Sequence, residues 1–124
     1  MLLRRYVPYL GMMIVMVAAP QLRAGDELPP ADKEKIESLI KTVENLKNAK
    51  FIRKGSEYDC GTAATFLRGK WNWKSSEIKT VQDFIRVCSA GGSGEGTPYF
   101  VRQDGKDTPA KDFFAAELAR LEKP

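Results

Sequence analysis

Four stretches of the chain carry apolar residues at helical spacing. In the first, Ile36, Leu39, Ile40, Val43 and Leu46 fall at three- and four-residue intervals, which places them on one face of an α-helix. Pro30 suits a first helical turn, Asp32 and Glu34 complement the positive end of the helix dipole, and Asn48 offers a stop. A second helix is expected from Ser56 and Asp59, a capping pair, with Cys60, Ala63, Ala64, Leu67 and Trp71 on its apolar face. Thr80 and Asp83 repeat that pattern ahead of Val81, Phe84, Ile85 and Cys88. Thr108-Pro109 opens a last helix carrying Ala110, Phe113, Phe114, Leu118 and Leu121.

Two short runs between these helices read as strands. They are Phe51-Ile52-Arg53, ended by Gly55, and Pro98-Tyr99-Phe100-Val101, followed by an Asp104-Gly105 turn. Asn72 to Ser76 reads as a polar loop holding Trp73, and Ser89 to Thr97 as a mobile, glycine-rich surface loop. No internal repeat is legible. The pattern predicts a small α+β domain, mostly helical, with about four helices and one short two-stranded ribbon.

The first 24 residues follow a different rule. Arg4 and Arg5 form a basic head, Val7 to Ala19 run without a charge, and Leu22-Arg23-Ala24 ends in a small residue. That is the pattern of a secretory signal cleaved after Ala24, with an uncleaved anchor as the alternative. The apolar run falls short of the roughly 20 residues a membrane span needs, and no cysteine near the junction supports a lipid anchor. The expected organisation is a signal over 1–24, a flexible lead-in over 25–30 and one domain over 31–124. The expected location is the periplasm, with full secretion the alternative and no stable membrane anchor after cleavage.

Removing the signal changes the charge. The whole chain carries +4, but Arg4, Arg5 and Arg23 leave with the signal and the remaining 100 residues carry +1. The basic balance is therefore no argument for nucleic acid. Charge is nevertheless uneven: Lys50, Arg53, Lys54, Arg68, Lys70, Lys74 and Lys79 lie within thirty residues against Glu57, Asp59 and Glu77. Trp71 and Trp73 sit inside this stretch. One can join the core; the other, beside lysines and arginines, has the residue mix of an interface anchor. The plainer reading is that both rings cap a small core.

Cys60 and Cys88 both fall on apolar helix faces, and the compartment beyond a signal is oxidising. A structural disulfide is expected, closing a 28-residue loop worth about 3.5 kcal/mol in the chain-entropy model. Two buried free thiols are the alternative. A reactive thiol or a zinc site has less support, because there is no Cys-x-x-Cys and no histidine anywhere.

The absence of histidine also removes the Ser-His-Asp and Cys-His mechanisms. A carboxylate pair remains open in principle, yet Glu57 and Asp59, two apart on the expected helix, diverge. Gly91 and Gly96 have a P-loop interval, but the lysine is replaced by Thr97 and the loop leads from a helix into a strand, the reverse of a P-loop. No catalytic residue, cofactor or metal is expected.

Across Phe51-Ile52-Arg53-Lys54-Gly55, Tyr58, Ala63, Ala64, Leu67-Arg68, Lys70-Trp71, Thr80, Asp83-Phe84-Ile85 and Gly96-Thr97-Pro98-Tyr99, the chain resembles the YfeK-like family of small exported bacterial proteins, assigned to a domain of unknown function. The likeness runs from about Ile36 to Leu121 and departs in the loop before Gly96, which is richer in glycine here. It implies an exported, periplasmic protein and no particular chemistry. If the family has a ligand site, the matched Arg53, Tyr58, Arg68 and Tyr99 are its candidates, joined by Trp73 from the charge pattern. The expected function is a non-catalytic binding protein that recognises an envelope protein, as an inhibitor or immunity-type module. A module for peptidoglycan or another anionic polymer is the alternative, and a carboxylate-based hydrolase comes third.

Overall fold

A computed structural model describes residues 27–123. The expected signal over 1–24 and the start of the lead-in lie outside the described residues. In chain order the elements are α1 (Pro30–Glu44), β1 (Ala49–Arg53), β2 (Ser56–Tyr58), α2 (Cys60–Trp73), α3 (Val81–Cys88), β3 (Phe100–Gln103), β4 (Lys106–Pro109) and α4 (Ala110–Leu121). A turn of 3-10 helix, Ser75–Glu77, joins α2 to α3. Among the described residues no helix is long and apolar enough to cross a membrane.

The class is α+β, but the expected two-stranded ribbon is a four-stranded antiparallel sheet of order β2-β1-β3-β4. The expected strands are its inner pair, with Phe51 opposite Val101 and Ile52 opposite Phe100. Each is extended by a hairpin. Lys54-Gly55 and Asp104-Gly105 take φ values of 53° and 80°, and of 52° and 80°. Two successive left-handed residues are what a tight two-residue hairpin turn requires, and glycine serves the second position in both. Ser56, expected to begin a helix, is therefore in β2, and Thr108-Pro109 ends β4. Asp59 alone caps α2, accepting the Thr62 amide at 2.7 Å.

Helix, hairpin, helix thus occurs twice, and the two copies meet at the Phe51–Val101 pair. From the hairpin turn onward the copies keep one spacing: Gly55 and Gly105, then Cys60 and Ala110 at the helix starts, are each fifty residues apart. The sheet turns Phe51, Tyr99 and Val101 toward the helices. Across its opposite face Arg102 bridges the two edge strands, to Glu57 at 2.5 Å and to Asp107 at 2.7 Å.

The α1 stripe of Ile36, Leu39, Ile40 and Val43 is fully buried and packs against the other three helices. Asp32, expected to serve its own helix, also caps another: its Oδ2 accepts the Val81 amide of α3 at 2.9 Å.

The disulfide is not formed. Cys60 and Cys88 are buried free thiols, beyond disulfide distance. Cys60 begins α2, with its Sγ toward the Ala49 carbonyl, whereas Cys88 lies near Lys70. Ten residues of helix separate Cys60 from Lys70, about 15 Å along the axis. Each thiol fills a different end of the core.

Candidate functional site

A surface cleft of about 410 Å³ opens between α2, the end of β1 and the glycine-rich loop. Its floor follows from helical geometry. Phe66, Gly69, Lys70 and Trp73 stand at i, i+3, i+4 and i+7 of α2 and form a second stripe beside the core stripe. Arg53 enters from β1, on the same sheet face as Phe51 but one step beyond the core, and Tyr99 closes the floor.

Lys70 is the least ordinary of these residues. Only 5% of it is exposed, yet among the described residues it faces no carboxylate. Its ammonium donates to the Ala90 carbonyl and to the Tyr99 hydroxyl, at 3.1 Å for the latter, and stands 4.9 Å from that ring. Two of its three donors are engaged. A buried cation without an anion is costly unless its surroundings supply compensating oxygens, and here the Ala90 carbonyl and the Tyr99 hydroxyl supply them.

Arg53 extends the positive surface. Its guanidinium lies 4.3 Å from the Phe66 ring and donates to the Tyr58 hydroxyl at 3.3 Å. Its Nε is buried without an acceptor. Tyr99, 3% exposed, is held between Phe51, tilted against it, and Phe66, edge-on to it, each 5.7 Å away.

Of the five residues expected at a site, Arg53, Tyr99 and Trp73 line this cleft, and Tyr58 joins it through Arg53. Arg68 does not. It lies on another face of α2 and pairs with Glu37 and Glu44 of α1, at 3.3 and 4.0 Å, fastening two helices together.

The plainer reading, that both tryptophans cap the core, does not hold: the two part, and α2 continues through Trp73 in place of a loop. Trp71 packs edge-on against Phe84 at 6.2 Å, while Trp73 is 74% exposed. The Lys74 ammonium stands 4.6 Å from the Trp73 ring and donates to Ser93 in the glycine loop.

That loop is closed on itself. The Gly94 and Gly96 amides donate to the Gly91 carbonyl, and Gly91 donates to Thr97. Gly94, at φ 104°, lies so close to α3 that a Cβ would sit 2.2 Å from the Arg86 carbonyl oxygen. Gly91 and Gly92 form one wall of the cleft.

The expected acid pair has no shared task here. Glu57 is engaged with Arg102, and Asp59 caps α2, its carboxyl held below the usual range first by the Thr62 amide. Among the described residues no three His, Cys, Asp or Glu side chains gather as a metal would need.

The second copy of the unit serves as an internal control. Fifty residues after Arg53, Lys54, Gly69 and Lys70 stand Gln103, Asp104, Ala119 and Arg120. Asp104 suits a left-handed turn better than lysine does, and alanine suits a helix better than glycine. Arg120 is exposed and paired with Glu117. The first copy departs from local preference at the residues lining the cleft.

Phe66, Gly69 and Lys70 were absent from the expected site. The spacing that reveals them, a lysine three residues after Leu67 and seven after Ala63, is visible in the sequence.

No curated protein and no solved structure matches the chain. A family model described as a family of unknown function (DUF5329) matches residues 30–122, the span of all eight elements, and the chain belongs to that family.

Proposed function

We propose that this is an exported, non-catalytic binding protein whose cleft takes an acidic group presented by an envelope partner. The observation that carries the reading is Lys70, buried in the cleft floor with neutral oxygens as its partners. Arg53 and Lys54 add positive charge on the same rim. The internal control supports it: lysine at a left-handed turn and glycine inside a helix weaken the fold locally while widening and charging the cleft. Export rests on the basic head, apolar run and small-residue end of residues 1–24, and on the YfeK-like resemblance. The expected partner is a protein with an acidic segment, which this domain would hold as an inhibitor or immunity module does.

The test is titration of the protein with poly-L-glutamate and a neutral polymer of the same length. Glutamate polymer is expected to bind in low salt and weaken as salt rises, since screening acts on exposed parts of the contact. Lys70→Met should abolish binding, and Arg53→Gln should weaken it. Equal binding of both polymers, or none, would remove the reading.

One observation favours the second reading, an anionic wall polymer. Trp73 offers a broad exposed ring at the cleft mouth, a stacking surface that an acidic peptide does not require. Co-sedimentation with purified peptidoglycan that is lost in Trp73→Ala, while polyglutamate binding persists, would favour the polymer.

A further inference from the structure

Beside the cationic cleft lies a second hollow of about 150 Å³, lined by Phe51, Tyr58, Thr62, Ala63 and Phe66, with Arg53 at its edge. The two share Arg53 and Phe66. The cleft meets α2 at Phe66, Gly69, Lys70 and Trp73; the hollow meets it at Thr62, Ala63 and Phe66. On average the cleft therefore meets α2 about six residues, near 9 Å, further along the helix than the hollow does. The cleft combines three cations with the Phe66, Trp73 and Tyr99 rings, whereas the hollow has one cation, Arg53, at its edge and is otherwise mostly rings and methyl groups.

We infer that the site takes a small amphipathic carboxylate, with its acid group at Arg53, toward Lys70, and a ring-sized apolar group in the smaller hollow. This rests on the proposal that the cleft binds an acidic group. A hollow near 150 Å³ with apolar walls is the size that accepts a benzene ring. Arg53 borders both compartments, so the carboxylate of a short aryl-alkyl acid seated in the hollow meets Arg53 first, with Lys70 beyond it. Arg53 stands at the junction, stacked on Phe66 and bonded to Tyr58. Its guanidinium keeps donors beyond the one given to Tyr58, and an oxygen entering at the junction would take them. The ligand chemistry is shared by a free aryl-alkyl acid and by the carboxylate end of a peptide terminating in an aromatic residue.

The probes are acetate, 3-phenylpropanoate, and N-acetyl-Gly-Phe with a free or an amidated end. Each is titrated into 15N-labelled protein purified from cells expressing the full chain. The expected result is that 3-phenylpropanoate binds at least about tenfold more tightly than acetate, the increment for burying a ring. Amide shifts should cover Thr62, Ala63, Phe66, Lys70 and Gly91. Thr62→Leu, an exposed position whose larger side chain would fill the hollow, should return 3-phenylpropanoate to the affinity of acetate. Binding of the free-ended dipeptide but not the amidated one supports the inference and identifies a peptide end as the source. Binding of 3-phenylpropanoate alone supports it with a free acid as the source.

Equal affinities for acetate and 3-phenylpropanoate would overturn the inference and leave the acidic-group reading standing. If both were silent while polyglutamate bound, the inference alone would fall. Silence of all three would remove both.

Discussion

Gly69 sits inside α2, where glycine costs about 1 kcal/mol relative to alanine. A Cβ there would meet nothing within 4 Å, so packing does not demand the glycine. What the missing side chain leaves is open cleft floor. Gly69→Ala should raise stability by about 0.5–1 kcal/mol in urea unfolding, and Gly69→Leu should fold equally well yet block polyglutamate. A lower midpoint in the alanine variant would show that the glycine serves the fold. Arg68→Ala should leave acid binding unchanged and lower stability by at most about 1 kcal/mol, the range of an exposed ion pair.

The thiols make a separate case at the same scale. Burial pushes the Cys88 thiol up to about 12, with the nearby Lys70 opposing in part, and burial also raises Cys60. Native protein at pH 8 should therefore resist a disulfide reagent such as Ellman's, and urea should release two reactive thiols without reductant. No thiol after unfolding would restore the disulfide. Because the folded Cys88 pKa lies above the unfolded one, the unfolded chain ionises first as pH rises. This contribution to stability is whole below about pH 9 and is lost progressively from there toward pH 12.

Among the elements, α3 shows most clearly how short segments are held. It has only eight residues, too few to persist alone. Thr80 Oγ1 accepts the Asp83 amide at 3.0 Å, Asp83 accepts the Lys79 amide at 3.0 Å, and Asp32 reaches across from α1 to the Val81 amide. Thr80→Ala and Asp32→Ala should each cost about 1 kcal/mol in thermal or urea unfolding. The Lys79 amide, assisted by Arg86, holds the Asp83 carboxyl below the usual carboxylate range. Its contribution is therefore present above about pH 4 and is lost as pH falls further.

The first two links of that cap were legible, since Thr80 and Asp83 have the spacing of a capping pair. The Asp32 link was not, because it joins residues 49 positions apart. The same limit explains the missed outer strands. Ser56-Glu57-Tyr58 and Lys106-Asp107-Thr108-Pro109 are short and polar, and carry no apolar alternation of their own. They are strands because tight turns return them to an apolar neighbour, a tertiary cause that propensity does not record.

At the scale of the whole molecule, helical periodicity found all four helices because each buries a stripe in one core. The cleft was half legible. Arg53, Tyr99 and Trp73 announce themselves by residue type, whereas Lys70 was concealed among seven cations of the basic middle, and only the fold shows which of them is buried. The disulfide failed for a related reason: two cysteines on apolar faces satisfy the pattern equally at the same end of the core or at opposite ends.

The doubled unit has a further consequence. Lys35 near the start of α1 bonds Glu122 just beyond α4 at 2.9 Å, so the two ends of the domain lie side by side. The halves are joined by the short stretch between Trp73 and Val81. A circular permutant that links residue 123 to residue 27 and opens between Ser75 and Ser76 would place the second helix–hairpin–helix unit first. Because β1 and β3 pair antiparallel at the centre, the permuted chain can rebuild the sheet with the same neighbours. It should show the same circular dichroism and melt cooperatively within about 10 °C of the parent, the shift expected for a loss of one or two kcal/mol in a domain of this size. A non-cooperative melt would mean that the two halves no longer unfold as one core once the chain order is changed.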